Sequence, residues 1–374
     1  VISAIECKRL GYDVIATNPC DVLGRRLVYS PAWLYAAVLP IDKRWTVPTG
    51  MFLDLAFLAS LFLLPVARNW RGCLVLSLAM VSSTVVFALE RTNTDIVIFV
   101  MIAVALHLGG KGRVARVFGY GTVLFAGILK FYPLVALVVA LRERLAVCLI
   151  IATTAAATVI AYLAVDGADV LRAIRIIPSG TCVTDAYGAR NMPRCISMTL
   201  EVLGVHWAYL PYLLQIVLTC LSGLTGIWIT RKTDLVARLA PLTAREKEFL
   251  MVGAVLVVGC FFTAYSLYYR AVFLLFMVPG LLRLSARPDG LRSSSVYGVG
   301  LAIVLVLLWS EALHGPLYAL SPVLDGLFSV ARECAWWWFI GFLFAIIFAV
   351  IRSLPTWTEL HALIGRQTIG RGGM

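Results

Sequence analysis

Nine apolar runs, near 50–67, 73–89, 95–109, 145–163, 207–229, 249–265, 271–284, 296–309 and 335–352, alternate with polar connections along this 374-residue chain, several of the runs being shorter than the roughly 20 residues a straight crossing needs. Only 14% of the residues are charged, against about 25% in soluble domains. A water-soluble core cannot absorb that much apolar surface, and a bilayer can. In lipid only helices and closed barrels satisfy every backbone polar group, and runs of this length suit helices. The expected fold is therefore all-α, a polytopic transmembrane helical bundle of about nine spans. An additional stretch, 116–141, is long and interrupted by Lys130 and Pro133. It reads as two half-helices meeting near Lys130, a broken or re-entrant pair. No linker separates the runs, so 1–374 reads as a single membrane-embedded domain.

Charge supplies an orientation. Loops at 68–73, 111–116, 142–144, 231–248, 283–295 and 352–374 hold 18 of the 32 Lys and Arg residues. The positive-inside rule places them in the cytoplasm. The long loops 1–48 and 166–206 then face outward, towards the periplasm of a bacterial inner membrane. The net charge of +12 is scattered over connections, so nucleic acid is not expected as a partner. Cytoplasmic cations instead meet the anionic head groups of membrane lipids. The nine cysteines show no metal-ligand spacing, and no glycine-rich phosphate loop follows a strand. No cofactor and no metal are expected. Cys7, Cys20, Cys182, Cys195 and Cys334 fall on the proposed outer side, where disulfides are possible. Cys182 and Cys195 share one loop and are the favoured pair. The chain begins at Val1 without a preceding span, so a first transmembrane helix is expected ahead of it.

Four polar groups stand out against this background. Glu90-Arg-Thr-Asn-Thr-Asp95 reads as a six-residue connection between two spans. In its plainest reading Asn93 or Thr94 caps the following helix and Asp95 faces the helix dipole. Lys130-Phe-Tyr-Pro133 places a cation at a helix break. A lysine at membrane depth costs about 2.5–3.5 kcal/mol, unless it snorkels from a helix end. Tyr265-Ser-Leu-Tyr-Tyr-Arg270 puts an arginine directly before an apolar run, as an anchor or as a grip for phosphate. The first outer loop carries Glu6, Asp13, Asp21, Arg25 and Arg26. Pro31 to Leu39 reads as a short interfacial helix, and 310–334 as a third outer region. Transfer from a lipid-linked phosphate needs such a set. Cations neutralise the leaving phosphate, and a carboxylate takes the proton of an acceptor hydroxyl.

The order of these motifs resembles glycosyltransferase family 87 of the GT-C superfamily. The resemblance lies in Glu90-Arg-Thr-Asn-Thr-Asp95, Lys130-Phe-Tyr-Pro133 and Tyr269-Arg270-Ala-Val-Phe-Leu-Leu-Phe276. Gly11-Tyr-Asp13 and Val28-Tyr-Ser-Pro31 are similar to the family's Gly-x-Asp-x-Tyr and Tyr-Pro-Pro elements. Val14-Ile15 departs from it, standing where the family has its tyrosine. The resemblance implies a GT-C-type bundle and an inverting transfer, commonly of mannose, on the outer face. The donor would be a polyprenyl-phosphate sugar and the acceptor a lipid or glycan. Lys130 and Arg270, with Arg91, would bind the donor phosphate. The family's catalytic aspartate would fall before Val1. Asp21 and Asp13 are then the candidate bases within this chain, and Asp95 a third. Glu90, Asn93, Tyr132, Tyr269 and Arg190 would support the site. Two rival classes remain. One is a transporter or flippase for a lipid-linked or anionic substrate, which suits broken helices. The other is a non-enzymatic scaffolding subunit. The topology predicts that an impermeant thiol reagent on intact cells labels single cysteines placed in 166–206 and spares those in 231–248. Equal labelling of both rejects it.

Overall fold

The computed structural model describes residues 1–177, 186–233, 235–263, 266–286, 293–357 and 359. Among them the fold is helical apart from one two-residue ladder. In chain order, α1 is Ile2–Arg9, α2 Thr46–Leu61, α3 Trp70–Met80, α4 Ser83–Arg91, α5 Thr94–Gly109, α6 Arg113–Lys130 and α7 Leu145–Arg175. Strand β1, Ala186–Tyr187, precedes α8 Asn191–Val202, α9 Leu210–Lys232, α10 Leu235–Leu239 and α11 Ala244–Thr263. Strand β2, Ser266–Leu267, leads to α12 Val278–Ser285, α13 Ser293–Leu320 and α14 Pro322–Arg352. Tighter 3₁₀ segments cover Pro31–Val38, Tyr132–Arg142 and Tyr268–Phe276.

This is an all-α membrane protein with fewer crossings than the nine expected. Among the described residues four helices, α7, α9, α13 and α14, are long and apolar enough to cross a membrane. The count rises to six if two bent pairs each make one crossing: α3 with α4, bent by 41°, and Tyr268–Phe276 with α12, bent by 53°. The shortfall has a physical cause. At 1.5 Å per residue, the 16 residues of α2 and of α5 rise about 24 Å, short of a hydrocarbon core of about 30 Å. α11 spends its first turn on Arg245, Glu246, Lys247 and Glu248. Two expected outer loops also change character. Within 166–206, α7 continues to Arg175 and α8 begins at Asn191. The region 310–334 is a helical hairpin, in which Ser321 alone separates α13 from α14 and caps the latter through Val323 N–H at 3.2 Å.

The chain folds into two compact units. The first comprises Val1–Phe62, Ile96–Leu137 and Leu149–Ser179. Its N-terminal segment closes on a Cys7–Cys20 disulfide, which packs with Ala4, Val14 and Leu27. This is a pair that loop sharing did not single out. Cys195 is also disulfide-bonded, while Cys182 lies outside the described residues. Cys334 is a free, exposed thiol. The expected interfacial helix is the 3₁₀ segment at Pro31–Val38. Ser30 Oγ caps it through Ala32 N–H at 3.3 Å and meets Tyr162 Oη at 2.5 Å. The half-helix break stands where 116–141 was expected to divide. α6 ends at Lys130 because Phe131 takes a left-handed conformation, φ 56°, and Pro133 has no N–H to continue the ladder. Gly127 makes room for the returning chain: a Cβ there would lie 2.3 Å from Leu134 Cδ2.

The second unit comprises Leu63–Asp95, Val138–Cys148 and Gly180–Met374. Its centre is α14, where Trp336, Phe339, Ile340, Phe342, Leu343 and Ile346 are fully buried. β1 and β2 pair antiparallel, Ala186 opposite Leu267 and Tyr187 opposite Ser266. α9 crosses α14 on glycines, as membrane helices do when small residues let backbones approach. A Cβ on Gly226 would meet Gly341 O at 2.8 Å, and one on Gly341 would meet Ser222 O at 2.7 Å. Gly226→Ala and Gly341→Ala should each destabilise the protein by about 1–3 kcal/mol through overpacking. Gly223→Ala, with open space around it, should be neutral or gain about 0.5–1 kcal/mol from helix propensity. Thermal unfolding in detergent compares the three.

Candidate functional site

Lys130 is the cation of the first unit's site. It is the last residue of α6 and is half-buried. Its Nζ lies 5.2 Å from the Tyr29 ring centroid and 5.9 Å from that of Tyr132. Each ring attracts the ammonium by about 0.5–2 kcal/mol. Trp33 Nε1 donates to Leu129 O at 3.2 Å and so steadies the same helix end. The ammonium is therefore held by ring faces at a helix terminus.

Asp13 and Asp21, the expected outer-loop bases, both have structural occupations. Asp13 accepts from Ile15 N–H at 3.2 Å and Ala16 N–H at 3.4 Å, and pairs with Arg172. The Arg172 bond holds its carboxyl below the usual range. Asp21 accepts from Arg25 Nε at 3.0 Å and Nη2 at 3.1 Å, as well as from the N–H groups of Leu23 and Arg25. Chiefly through the Arg25 side chain, its pKa falls to about 2. In the same unit Tyr35 Oη donates to Asp166 Oδ2 at 2.6 Å, which with burial pushes the phenol up to about 12.

The second unit gathers Asp95, Arg270, Tyr269 and Arg91. α4 ends with Thr92 in the left-handed region, φ 39°. Thr92 and Phe131 are the two non-glycine residues with positive φ among the described residues, and each lies within a motif singled out above. Backbone strain of this kind costs about 1–3 kcal/mol and concentrates at functional sites. Asn93 Oδ1 accepts from Asp95 N–H at 3.3 Å and Thr94 Oγ1 at 3.0 Å, so Asn93 opens α5. Asp95 is 1% exposed and receives Arg270 Nε at 3.4 Å, with Arg270 15% exposed. Tyr269 is buried, its ring 5.8 Å from Phe87. Arg91, exposed, lies over the same Phe87 ring at 5.2 Å. Glu90 is exposed, and so is Arg190 at the N-cap of α8.

The α13–α14 hairpin holds a polar network absent from the sequence-based candidates. Arg332, 2% exposed, donates from Nη1 to Glu311 Oε1 at 3.2 Å and to His314 Nε2 at 2.6 Å. A guanidinium only donates, so His314 Nε2 is the acceptor. Nδ1 therefore carries the imidazole proton and donates it to Asp325 Oδ1 at 2.5 Å. The Arg332 guanidinium lies 4.7 Å from the Tyr268 ring centroid, and Trp336 Nε1 donates to Tyr268 Oη at 2.9 Å. Glu333 Oε1 accepts from Asn191 Nδ2 at 2.9 Å. Tyr187 stacks on Trp336 at 4.5 Å, and burial raises its phenol well above the ordinary value. One signal could have found this network: helical, apolar sequence runs on through 310–334, so its charges belong inside helices. Among the described residues no group of His, Cys, Asp or Glu is arranged to hold a metal ion.

No known protein family, curated protein or solved structure matches this chain. The Asp95–Arg270 pair makes a prediction independent of any relative. Removing one partner of a buried pair leaves an uncompensated charge and costs about 3–5 kcal/mol. Arg270→Ala should lose about that much stability, and adding Asp95→Asn should recover most of it. A double-mutant cycle on detergent-solubilised protein reads the coupling, and additive losses would remove the pair from the account.

Proposed function

We propose that this chain is a membrane glycosyltransferase of GT-C type. It moves a sugar, mannose first, from a polyprenyl-phosphate-sugar donor to a lipid or glycan acceptor on the outer face of a bacterial inner membrane. The observation that carries the reading is Lys130, held under Tyr29 and Tyr132 where a strained Phe131 breaks α6. Its cation stands at an interrupted helix in apolar surroundings, the setting in which a membrane-anchored phosphate presents itself. The motif resemblance supports the same reading.

In this chemistry the acceptor hydroxyl attacks the anomeric carbon, the sugar–phosphate bond breaks, and polyprenyl phosphate leaves with the bonding electrons. A base takes the hydroxyl proton, and cations stabilise the phosphate as its charge grows. A general base works best with a pKa near the working pH. Asp21, held at about 2 by Arg25, and Asp13, held low by Arg172, are poorly suited. Asp95, the third candidate, is likewise paired with an arginine, Arg270, and Asp95→Asn tests it alongside Asp13→Asn and Asp21→Asn. In the unit of Asp95, Arg270 and Arg91 are the cations offered for phosphate, as Lys130 is in the other.

A second reading, a flippase or transporter for a lipid-linked anion, draws on the two bent helix pairs, since discontinuous helices line transport sites. The two readings separate on product. Membranes carrying the protein, given labelled polyprenyl-phosphate mannose and acceptor lipid, should release polyprenyl phosphate and form a glycosylated product. Lys130→Ala should lower kcat about 10²–10³-fold, the effect of removing one charge-stabilising group, with unchanged protein levels. Full activity in Lys130→Ala with loss in Asp95→Asn would place the chemistry in the second unit. Movement of the lipid across vesicles with no new glycoside would favour the transporter.

A further inference from the structure

A carboxyl group lies inside α14 with one oxygen unaccounted for. Glu333 is 6% exposed, and its partner Asn191, at the start of α8, is 4% exposed. Asn191 Nδ2 donates to Glu333 Oε1 at 2.9 Å and to Ala186 O at 3.2 Å. The carbonyl of Ala186 can only accept, which fixes the amide with its nitrogen towards both oxygens. Two buried acceptors are then left over. Glu333 Oε2 and Asn191 Oδ1 have no hydrogen-bond partner among the described residues.

We propose that Glu333 is a proton-binding site, in which Oε2 carries a proton and donates it to Asn191 Oδ1, closing a two-bond acid–amide ring between α14 and α8. The two leftover oxygens belong to an amide and a carboxyl already joined by one N–H···O bond, so a single hydrogen shared between them would satisfy both. The amide oxygen is far too weak a base to hold that hydrogen, so it resides on the carboxyl. The surroundings agree. Buried carboxyls with no cation bonded directly to them neutralise rather than stay ionised. The adjacent cation, Arg332, directs Nη1 at Glu311 and His314 of α13 and lies over Tyr268. The other titratable groups around this part of α14 are Tyr268, which receives Trp336 Nε1, and Tyr187 of β1, which stacks on Trp336. Cys260 of α11 lies beside Tyr187. Arg332 supplies positive charge to Glu333 only through space, and Glu333 Oε2 receives no hydrogen bond from it.

The proton thus acts as a bolt. With it, α8 and β1 are tied to α14 through Asn191, whose second N–H holds Ala186 O. Loss of the proton to solvent leaves a carboxylate facing an amide oxygen, and α8 must separate or admit water. This site holds whichever reaction the chain performs.

The test is infrared difference spectroscopy of the full chain in nanodiscs. At neutral pH the spectrum should show a protonated-carboxyl C=O band that is lost in Glu333→Gln and moves to higher frequency in Asn191→Ala. Glu333→Gln should keep the wild-type melting temperature, because its amide offers the same acceptor and donor, whereas Glu333→Ala should melt lower. If the band lost in Glu333→Gln is that of an ionised carboxylate, or Glu333→Gln melts as low as Glu333→Ala, the proposal is overturned. Should Glu333→Gln fail to fold, the wild type and Asn191→Ala decide. Absence of any protonated-carboxyl band that shifts between them also overturns it.

Discussion

In a bilayer every backbone N–H and C=O must find its partner inside the protein, and each interruption of a helix therefore has to be supported by something specific. Three interruptions shape this molecule, and each has its support. At Lys130 the chain turns through a left-handed Phe131, with Trp33 holding the carbonyl of Leu129 and Gly127 clearing space for Leu134. Between α3 and α4 the break is followed by Ser83, whose hydroxyl reaches Leu308 O of α13 at 3.1 Å. At Tyr268–Phe276 the 3₁₀ segment is buried along nearly its whole length. Short two-residue strands fasten its start to β1.

Burial of charge obeys the same rule. Asp95 is matched by Arg270. Arg332 is matched by Glu311 and joined to Asp325 through a neutral His314. Each acidic group at these positions would be costly alone. Arranged as pairs and chains the groups fix how α13 meets α14 and how the start of α5 meets the segment before α12. The apolar contacts, by contrast, set distance rather than register: Gly226 and Gly341 bring α9 and α14 to backbone contact. Polar pairs then discriminate among the ways such smooth helices could slide.

Several features could be read without a structure because they are local. The break at Lys130 follows from a proline three residues on. The helix start at Thr94 follows from an asparagine cap, and the short helix at Pro31–Val38 from a Ser-Pro pair. The span count was misjudged because hydropathy measures apolar length and not helix continuity. The run at 73–89 is apolar throughout its middle yet bends by 41°. The network at Glu311, His314, Arg332 and Glu333 was missed because 310–334 read as an outer region between spans rather than as two packed helices. Their partners lie 11 to 142 positions away.

What the sequence alone determined is the class of environment and the local punctuation: an apolar chain built for lipid, helical because lipid permits little else, broken where proline and capping residues act on their neighbours. What only the tertiary structure decided is which polar groups meet. Asp95 and Arg270 are 175 positions apart, Cys7 chose Cys20, and Glu333 found Asn191 across 142. The physical reason is that propensity and capping act over a few residues of backbone. The partner of a buried charge is chosen by packing, which brings distant segments together only once the helices have closed on one another.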